Sequence, residues 1–329
     1  MRYIIYGAGA VGGVIGARLF QNGHDVLLIA RGAHLDAINR HGLTLRSPAG
    51  EESLAIPAAG HPSEIDFHDE DVVILAMKTQ DTSEALGALR AAASDAIPVF
   101  CAQNGVANER MALRRFPLVY GVLVFLPAAH MEPGVVEAHM SNKTGVLDLG
   151  CYPQGTDGLA QTVADSLNAS DFSVVPQERI MRWKYAKLLN NLNNSIQAAC
   201  GREADTREAG SQVRAEAVAC YEAAGIDYAS AEEMAARREG VLTFAPGGPR
   251  RLGGSSWQSL ARGQGSIETD YLNGEIALLG RLHGVPTPAN AALQRIAARL
   301  AREGAQPGAM TPDDVRAEIA REEAAAAAQ

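Results

Sequence analysis

Short apolar runs alternate with helical stretches in the first half of the chain. The runs at 3–6, 25–30, 71–77 and 97–101 are almost continuously apolar, which is typical of parallel strands covered on both faces. Between the last two runs, the composition of residues 82–93 predicts a helix. This alternation predicts an α/β domain built on a parallel sheet.

Further β patterns extend this domain to about residue 176. They are two strands at 43–46 and 53–56 around a turn at 47–50, a strand at 119–126, a hairpin at the sheet edge formed by 135–138 and 145–149, and a closing segment at 174–176.

From residue 179 onward the patterns are helical. The predicted helices are 179–199, 207–224, 255–263, 268–283 and 290–302, with a fraying helical tail at 322–329.

The chain has 329 residues, which is too long for one ordinary core. We predict a Rossmann-type dinucleotide-binding domain at 1–176 and an all-helical substrate or dimerisation domain at 177–329. Glycines and prolines at 246–254 predict a loop, either mobile on the surface or a lid that gates an active-site cleft.

The first strand runs into a glycine-rich turn that opens a helix. The turn reads Gly7, Ala8, Gly9, Ala10, Val11 and Gly12. In this context Gly7 allows the tight turn, Gly9 lets a pyrophosphate approach the backbone, and Gly12 lets the helix pack close to the strand. The helix N-terminus then faces the phosphates. The motif predicts a dinucleotide site, and the alternative is a glycine-rich turn that binds nothing.

The end of the second strand favours NADP over NAD. An NAD site places an acid there to hold the ribose 2′-hydroxyl, but this chain has Arg31 and no acid before Asp36. A guanidinium can hold a 2′-phosphate through its fork of donors. The alternative is that Arg31 is a solvated surface residue.

The composition is that of an intracellular enzyme. The net charge of −9 argues against a nucleic-acid surface, and we find no polybasic patch for a membrane. The four cysteines form no CxxC pair and are expected to be reduced thiols, while the eight histidines lack metal-ligand spacing. We find no signal peptide and no apolar run long enough to cross a membrane. We therefore predict a cytoplasmic protein with no bound metal, nucleic acid or membrane.

A lysine and several asparagines mark a candidate catalytic helix in the second half. Lys187, Asn191 and Asn194 stand at i, i+4 and i+7, hence on one face of the predicted helix. Asparagines suit a helix interior poorly, so another role is indicated. A lysine in a partly desolvated cleft could deliver a proton, whereas the alternative is a polar outer face with an exposed lysine.

Two further polar groups lie on later helices. Glu268 begins a predicted helix, where it could bind a substrate or simply be a favourable first-turn charge, as could Asp270. Ser255 and Ser256 precede Trp257 and could be an N-cap.

In the first domain, Lys78 and Asn104 follow two of the predicted parallel strands. Ligands of open α/β sheets bind at the carboxyl ends of the strands. Asn104 with Gly105 could be a turn dipeptide, but its position favours contact with the nicotinamide end of a cofactor.

Together these motifs resemble the ketopantoate reductases (2-dehydropantoate 2-reductases). The matching residues span both domains in order and are the glycine motif, Arg31, Lys78, Asn104 with Gly105, Trp183, Lys187, Asn191, Ser256 and the segment 268–274. The resemblance implies an NADP-binding Rossmann domain, an all-helical domain, and an active site in the cleft between them.

The resemblance also implies roles for individual residues. Hydride from NADPH reduces the C2 ketone of a 2-oxo acid while Lys187 protonates the developing alkoxide. Glu268 binds the distal hydroxyl of the substrate or helps to hold the lysine, and Asn104 orients Lys187 and the nicotinamide. Asn191 and Ser256 hold the substrate.

The chain departs from the family pattern at two positions. Ser195 stands where a second substrate-binding asparagine is expected, and the adjacent Asn194 is a candidate replacement. Asp205 stands where another asparagine is expected, and its charge would repel a substrate carboxylate at close range.

We therefore predict NADPH-dependent reduction of ketopantoate or a close 2-oxo acid. The alternatives are a related 2-oxo acid or opine-type dehydrogenase, and an NADP-sensing protein without turnover. The expected partner is the small-molecule substrate. A homodimer is the assembly that we consider for this chain.

Overall fold

The computed structural model describes residues 1–244, 253–263 and 265–327. Contacts divide the chain into two compact units. The described part of the first comprises residues 1–184 and 229–244, and that of the second comprises 185–228, 253–263 and 265–327. Most of the predicted loop at 246–254 and the end of the predicted tail, residues 328–329, lie outside the described residues.

All the described strands lie in the first unit. They are β1 (Arg2–Tyr6), β2 (Asp25–Ile29), β3 (Leu43–Ser47), β4 (Gly50–Leu54), β5 (Ala58–Ala59), β6 (Asp71–Leu75), β7 (Val99–Cys101), β8 (Val119–Val122), β9 (Ala128–Ala129), β10 (Val135–Ala138), β11 (Gly145–Val146), β12 (Leu149–Cys151) and β13 (Phe172–Ser173).

The described helices occur in both units. They are α1 (Ala10–Gln21), α2 (Gly32–His41), α3 (Thr82–Ala92), α4 (Asn108–Leu113), α5 (Gly158–Ala169), α6 (Ile180–Asn191), α7 (Asn193–Cys200), α8 (Arg207–Ala224), α9 (Ala231–Ala236), α10 (Ser255–Ala261), α11 (Asn273–His283), α12 (Pro288–Arg302) and α13 (Pro312–Ala327), with short 3-10 helices at Pro62–Glu64, Thr79–Asp81 and Glu268–Tyr271.

The main sheet of the first unit has the strand order β12-β8-β7-β6-β1-β2-β5. All neighbours from β8 to β5 pair in parallel, and only the edge strand β12 is antiparallel. On β1, Tyr3 and Ile5 belong to one buried apolar cluster and Ile4 belongs to another, so both faces of the sheet are covered. This is the reason that the strands read as continuous apolar runs. The predicted class, an α/β domain followed by an all-helical domain, is confirmed.

A second, four-stranded sheet has the order β4-β3-β10-β9. The predicted hairpin of β3 and β4 is present, with Ser47 opposite Gly50 across a two-residue turn. The predicted hairpin of 135–138 with 145–149 is wrong. Strand β10 instead pairs with β3 and β9, while β11 pairs with β13. The pairing of β10 with β3 and that of β11 with β13 join segments distant in sequence, so the local pattern could not identify them, whereas β9 lies shortly before β10 in the chain.

Two of the predicted helices are interrupted. The predicted helix 179–199 is α6 and α7, which are separated at Leu192, and the predicted helix 268–283 is a 3-10 helix and α11, which are separated at Leu272. Helix α8 has the predicted bounds. Helices α2, α4, α5 and α9 were not predicted, and α13 begins ten residues before the predicted tail.

The segment 229–244 belongs to the first unit, although the sequence pattern assigns it to the helical domain. The Arg237 guanidinium contacts both carboxylate oxygens of the fully buried Asp148, at 2.5 and 2.7 Å. The Ser141 N–H donates to the carbonyl of Thr243 at 2.8 Å. These contacts join residues roughly ninety or more positions apart and have no local signature. The predicted boundary at residue 176 stays a prediction.

No helix among the described residues is long and apolar enough to cross a membrane.

Candidate active site

Four neighbouring strands of the main sheet end beside predicted cofactor residues. In sheet order, Asn104 follows β7, Lys78 follows β6, the glycine turn follows β1 and Arg31 follows β2. These strands are parallel, so their carboxyl ends share one edge, and three strand spacings correspond to about 14 Å along it. The strand order changes direction at β1, which is the switch point where open α/β sheets bind their ligands.

The glycine turn has the geometry of a phosphate site. Gly7 has φ +101°, and a Cβ there would lie 2.6 Å from the Met77 backbone nitrogen. A Cβ at Gly12 would lie 2.3 Å from the Gly7 carbonyl oxygen, so the start of α1 can approach β1 only without a side chain. A Cβ at Gly9 would meet nothing within 4 Å. Gly9 is the N-cap of α1 and has no side-chain cap, so these residues fit an anionic pyrophosphate at the helix N-terminus.

Arg31 lies beyond the carboxyl end of β2 as the N-cap of α2. Its side chain is 80% exposed and pairs with Asp81 at 3.0 Å. The position suits a 2′-phosphate, and Asp81 would compete with that phosphate for the guanidinium.

His34, which stands in no recognisable sequence motif, connects the glycine turn to a distant loop. The His34 Nε2 lies 2.7 Å from the Ala8 carbonyl oxygen, and its Nδ1 accepts from the Gly134 N–H at 2.8 Å. This pairing requires the neutral ring with its proton on Nε2. Burial, together with the neighbouring His130 ring at 4.1 Å, lowers the pKa of His34 from 6.5 to about 4.

A buried polar network lies behind Lys78 and Asn104. Asn108 donates to the Asn104 carbonyl and to Thr79 Oγ1, both at 3.1 Å, and accepts from Thr82 at 2.9 Å. Gln103 donates to the Thr82 hydroxyl at 2.7 Å. The network links the loops after β6 and β7. The sequence offered no signal for it beyond polar residues at strand ends.

In the helical unit, Lys187 and Asn191 lie four residues apart on α6. Lys187 is half-buried and Asn191 is buried. Asn194 lies on α7, beyond the break at Leu192, and Leu192 itself has helical backbone angles. The prediction that all three residues share one face stays a prediction. The described residues supply no hydrogen-bond partner for the Asn191 Oδ1.

Ser256 lies in the first turn of α10 and is 1% exposed. The N-cap of α10 is Gly254, so the N-cap interpretation of Ser255 and Ser256 is wrong. Neither hydroxyl has a hydrogen-bond partner among the described residues. The Gly254 N–H donates to Gln197 Oε1 at 2.5 Å, which attaches the start of α10 to α7.

Glu268 begins a 3-10 helix and is 3% exposed. A solvated helix-start charge would be exposed, so this burial argues against that interpretation. The neighbouring Thr269 lies 3.2 Å from the Ser195 hydroxyl, which attaches this 3-10 helix to α7. The elements that carry Lys187, Asn191, Ser256 and Glu268 are therefore linked within the helical unit.

The two departures from the family pattern have different surroundings. Ser195 is fully buried and donates to Asn273 Oδ1 at 2.7 Å, so its hydroxyl is used inside the unit. Asp205 is exposed and pairs with the Arg207 guanidinium at 2.6 Å, which lowers the pKa of its carboxyl to about 2. Its charge is thus partly neutralised by its neighbour.

Among the described residues, no group of three or more histidines, cysteines or acids could hold a metal ion.

The α/β unit and its glycine turn define the class of dinucleotide-binding proteins, here with a helical second domain. This chain belongs to the ketopantoate reductase family: the family model Ketopantoate reductase PanE/ApbA matches residues 3–154, and its C-terminal counterpart matches residues 179–301.

Individual relatives agree with this assignment. A 2-dehydropantoate 2-reductase from Pyrococcus horikoshii is 33% identical over 199 residues, which is 60% of this chain and 64% of the relative, so less than two thirds of that relative is spanned. The crystal structure of a PanE/ApbA family ketopantoate reductase from Ralstonia eutropha JMP134 has 28% identity and a TM-score of 0.77 over 92% of this chain and 99% of its own.

A structure of D-mandelate dehydrogenase with NADH and anilino(oxo)acetate has a TM-score of 0.79 with the same coverage. At 24% identity, this likeness shows the fold.

The pairing of His34 predicts a pH-dependent stability. Because the folded pKa is depressed, the stability from neutral His34 is complete above about pH 6.5 and is lost as the pH falls towards 4. We expect a His34→Gln variant to lose less stability than the parent over this range, as measured by urea unfolding at several pH values. His41→Gln, on an exposed position of the same helix, should match the parent. Equal pH dependence in parent and His34→Gln would contradict the prediction.

Proposed function

We propose that the protein is an NADPH-dependent reductase that converts 2-dehydropantoate (ketopantoate), or a close 2-oxo acid, to the 2-hydroxy acid. The observation that carries the proposal is a pair of oxygens on buried residues of the helical unit, Asn191 Oδ1 and Ser256 Oγ, for which the described part of the chain supplies no hydrogen-bond partner. An unsatisfied buried polar group costs about 1–3 kcal/mol, which a polar substrate can recover. The glycine turn of the first unit supports the dinucleotide.

The reduction balances as 2-oxo acid plus NADPH plus a proton, giving 2-hydroxy acid plus NADP⁺. When bound, the nicotinamide supplies the hydride that reduces the ketone carbon. Lys187 Nζ donates the proton to the carbonyl oxygen as negative charge develops there. Asn191 and Ser256 hold the substrate, with Asn194 as a further candidate. Glu268 accepts a hydrogen bond from the distal hydroxyl.

On the cofactor side, backbone N–H groups in the second half of the Gly7–Gly12 turn would hold the pyrophosphate, since the Gly7 and Ala8 N–H groups already donate to the Ile29 carbonyl. Arg31 would hold the 2′-phosphate. Lys78 and Asn104 lie after the strands next to β1, where they can contact the nicotinamide half. Arg31 at the end of β2, in place of an acid, supports NADPH over NADH.

A related 2-oxo acid or opine-type dehydrogenase is the second candidate. The observation that favours it is Ser195, whose hydroxyl bonds to Asn273 rather than standing free for a substrate. The same fold occurs in D-mandelate dehydrogenase, so the fold does not select the substrate. An NADP-sensing protein is the third candidate, for which NADPH binding without oxidation would be found. The homodimer and the cytoplasmic location stay predictions.

The general acid is tested by Lys187→Ala. We expect kcat to fall roughly 10²–10⁴-fold, the usual scale of positioned proton transfer, while NADPH affinity stays near that of the parent. NADPH oxidation followed at 340 nm and fluorescence titration of NADPH separate the two effects. Lys143→Ala, a partly exposed lysine of the first unit, is the control and should leave both unchanged. A loss within threefold for Lys187→Ala would assign this lysine to a non-catalytic role.

Cofactor preference is tested by Arg31→Asp. Charge-assisted contacts are worth about 1.5–3 kcal/mol, so NADPH binding should weaken by about two orders of magnitude while NADH binding changes much less. The matched control is Arg40→Asp, an exposed arginine at the other end of α2 with the same change in charge. Equal use of NADPH and NADH by the parent would remove the basis for the prediction.

The substrate is tested with a panel of 2-oxo acids and NADPH. If Glu268 accepts a hydrogen bond from the distal hydroxyl, 3,3-dimethyl-2-oxobutanoate, which lacks that hydroxyl, should show a kcat/KM at least about tenfold below ketopantoate. The discrimination should shrink in Glu268→Ala and persist in Asp270→Ala, whose carboxylate is exposed on the same 3-10 helix. Full discrimination in Glu268→Ala would place the hydroxyl elsewhere.

A further inference from the structure

A buried ion pair lies at the carboxyl end of β7. Lys184 is 3% exposed and Glu109 is fully buried, and the ammonium donates to Glu109 Oε1. It also donates to the Gln103 carbonyl at 3.0 Å and to the Cys101 carbonyl at 3.2 Å. The three protons of the ammonium thus have three acceptors. Burial raises the pKa of the Cys101 thiol well above its usual range, so this thiol is neutral.

These contacts fix the residues that immediately precede Asn104. Cys101 is the last residue of β7, and the Gln103 carbonyl belongs to the peptide bond that continues into Asn104. The ammonium therefore fixes the carbonyl of that peptide. In addition, the Gln103 side chain donates to Thr82, and Asn108, the neighbour of Glu109 on α4, donates to the Asn104 carbonyl. These hydrogen bonds hold Asn104 in place. Of the residues that form them, Lys184 and Glu109 are the two with ionisable side chains that pair with each other.

Stability alone is a poor explanation for this pair. Burying two charges carries a desolvation cost, and apolar replacements of similar volume are often as stable. Glu109 Oε2 has no hydrogen-bond partner among the described residues, so the pair is not fully compensated. Unlike an apolar pair, this pair provides directional hydrogen bonds to two carbonyl groups at the end of a strand.

We propose that Lys184 and Glu109 are positioning residues that orient Asn104 toward the nicotinamide end of the bound dinucleotide. The inference rests on the proposed function, since it takes Asn104 to contact the nicotinamide. Lys184 and the proposed proton donor Lys187 lie three residues apart on α6 and have separate roles.

The test uses two probes, NADP⁺ and 2′-phospho-ADP-ribose, which is NADP⁺ without its nicotinamide. The dissociation constant of 2′-phospho-ADP-ribose divided by that of NADP⁺, both measured by calorimetry, is the nicotinamide ratio and isolates the contribution of the nicotinamide. The double variant Lys184→Met/Glu109→Leu removes both charges together. We expect its nicotinamide ratio to fall at least about fivefold, because Asn104 would no longer be held in the orientation that contacts the nicotinamide. Binding of 2′-phospho-ADP-ribose should stay within about twofold, since its contacts lie elsewhere along the edge.

The matched control is Arg2→Met/Asp71→Leu, which removes an ion pair at the opposite, amino-terminal ends of β1 and β6. Its nicotinamide ratio should equal that of the parent even if its unfolding midpoint falls. Should the first double variant fail to fold, Glu109→Gln keeps the shape and removes the charge. Its ratio should still fall about twofold, since a neutral acceptor holds the ammonium less strongly.

An unchanged ratio in a folded Lys184→Met/Glu109→Leu, or in Glu109→Gln if the double variant does not fold, would overturn the positioning role. Failure of the parent to bind either probe would instead reject the proposed dinucleotide function, so the two failures are distinguishable. A fall of the ratio in the Arg2→Met/Asp71→Leu control as well would overturn the inference, because any lost ion pair would then have the same effect.

Discussion

The first unit depends on the parallel pairing of β1 with strands on both sides. Ile4 of β1 lies opposite Leu27 of β2 and Val73 of β6, and its side chain is fully buried. A central strand of this kind can satisfy its backbone groups only when both neighbours are in register. Both neighbours follow β1 in the chain, β2 directly after α1 and β6 only after β3, β4 and β5. The same pairing brings the glycine turn between the ends of β2 and β6. The parallel pairing of β1 therefore produces both the core of the unit and the sheet edge that carries the candidate cofactor residues.

Local patterns in the sequence predict those strands and helices that depend on interactions between residues close in the chain. The apolar runs of β1, β2 and β6, the hairpin of β3 and β4, and the bounds of α8 follow from periodicity and turn chemistry. The glycine turn was predicted because Gly7 and Gly12 have backbone requirements that other residues cannot meet. The place of Arg31 after β2 predicts a contact with a 2′-phosphate, which stays a prediction.

The remainder depends on contacts between distant residues. Lys184 and Glu109 are 75 positions apart, and each alone resembles an ordinary surface residue in the sequence. The pairing of β10 with β3 likewise joins residues distant in sequence. So does the hydrogen bond between Ser195 and Asn273, which are 78 positions apart. The breaks at Leu192 and Leu272 also escaped prediction. At the first, the Asn273 side chain donates to the Leu192 carbonyl at 3.2 Å, a contact that no helix propensity reports.

The return of residues 229–244 to the first unit bears on how this protein is made. During synthesis on a ribosome, the main sheet emerges long before Arg237. The Asp148 carboxylate therefore lacks the Arg237 guanidinium until the intervening helices have been synthesised. The first unit is therefore not encoded by one continuous stretch of the gene. A recombination point placed after residue 184 would separate Asp148 from the arginine that pairs with it.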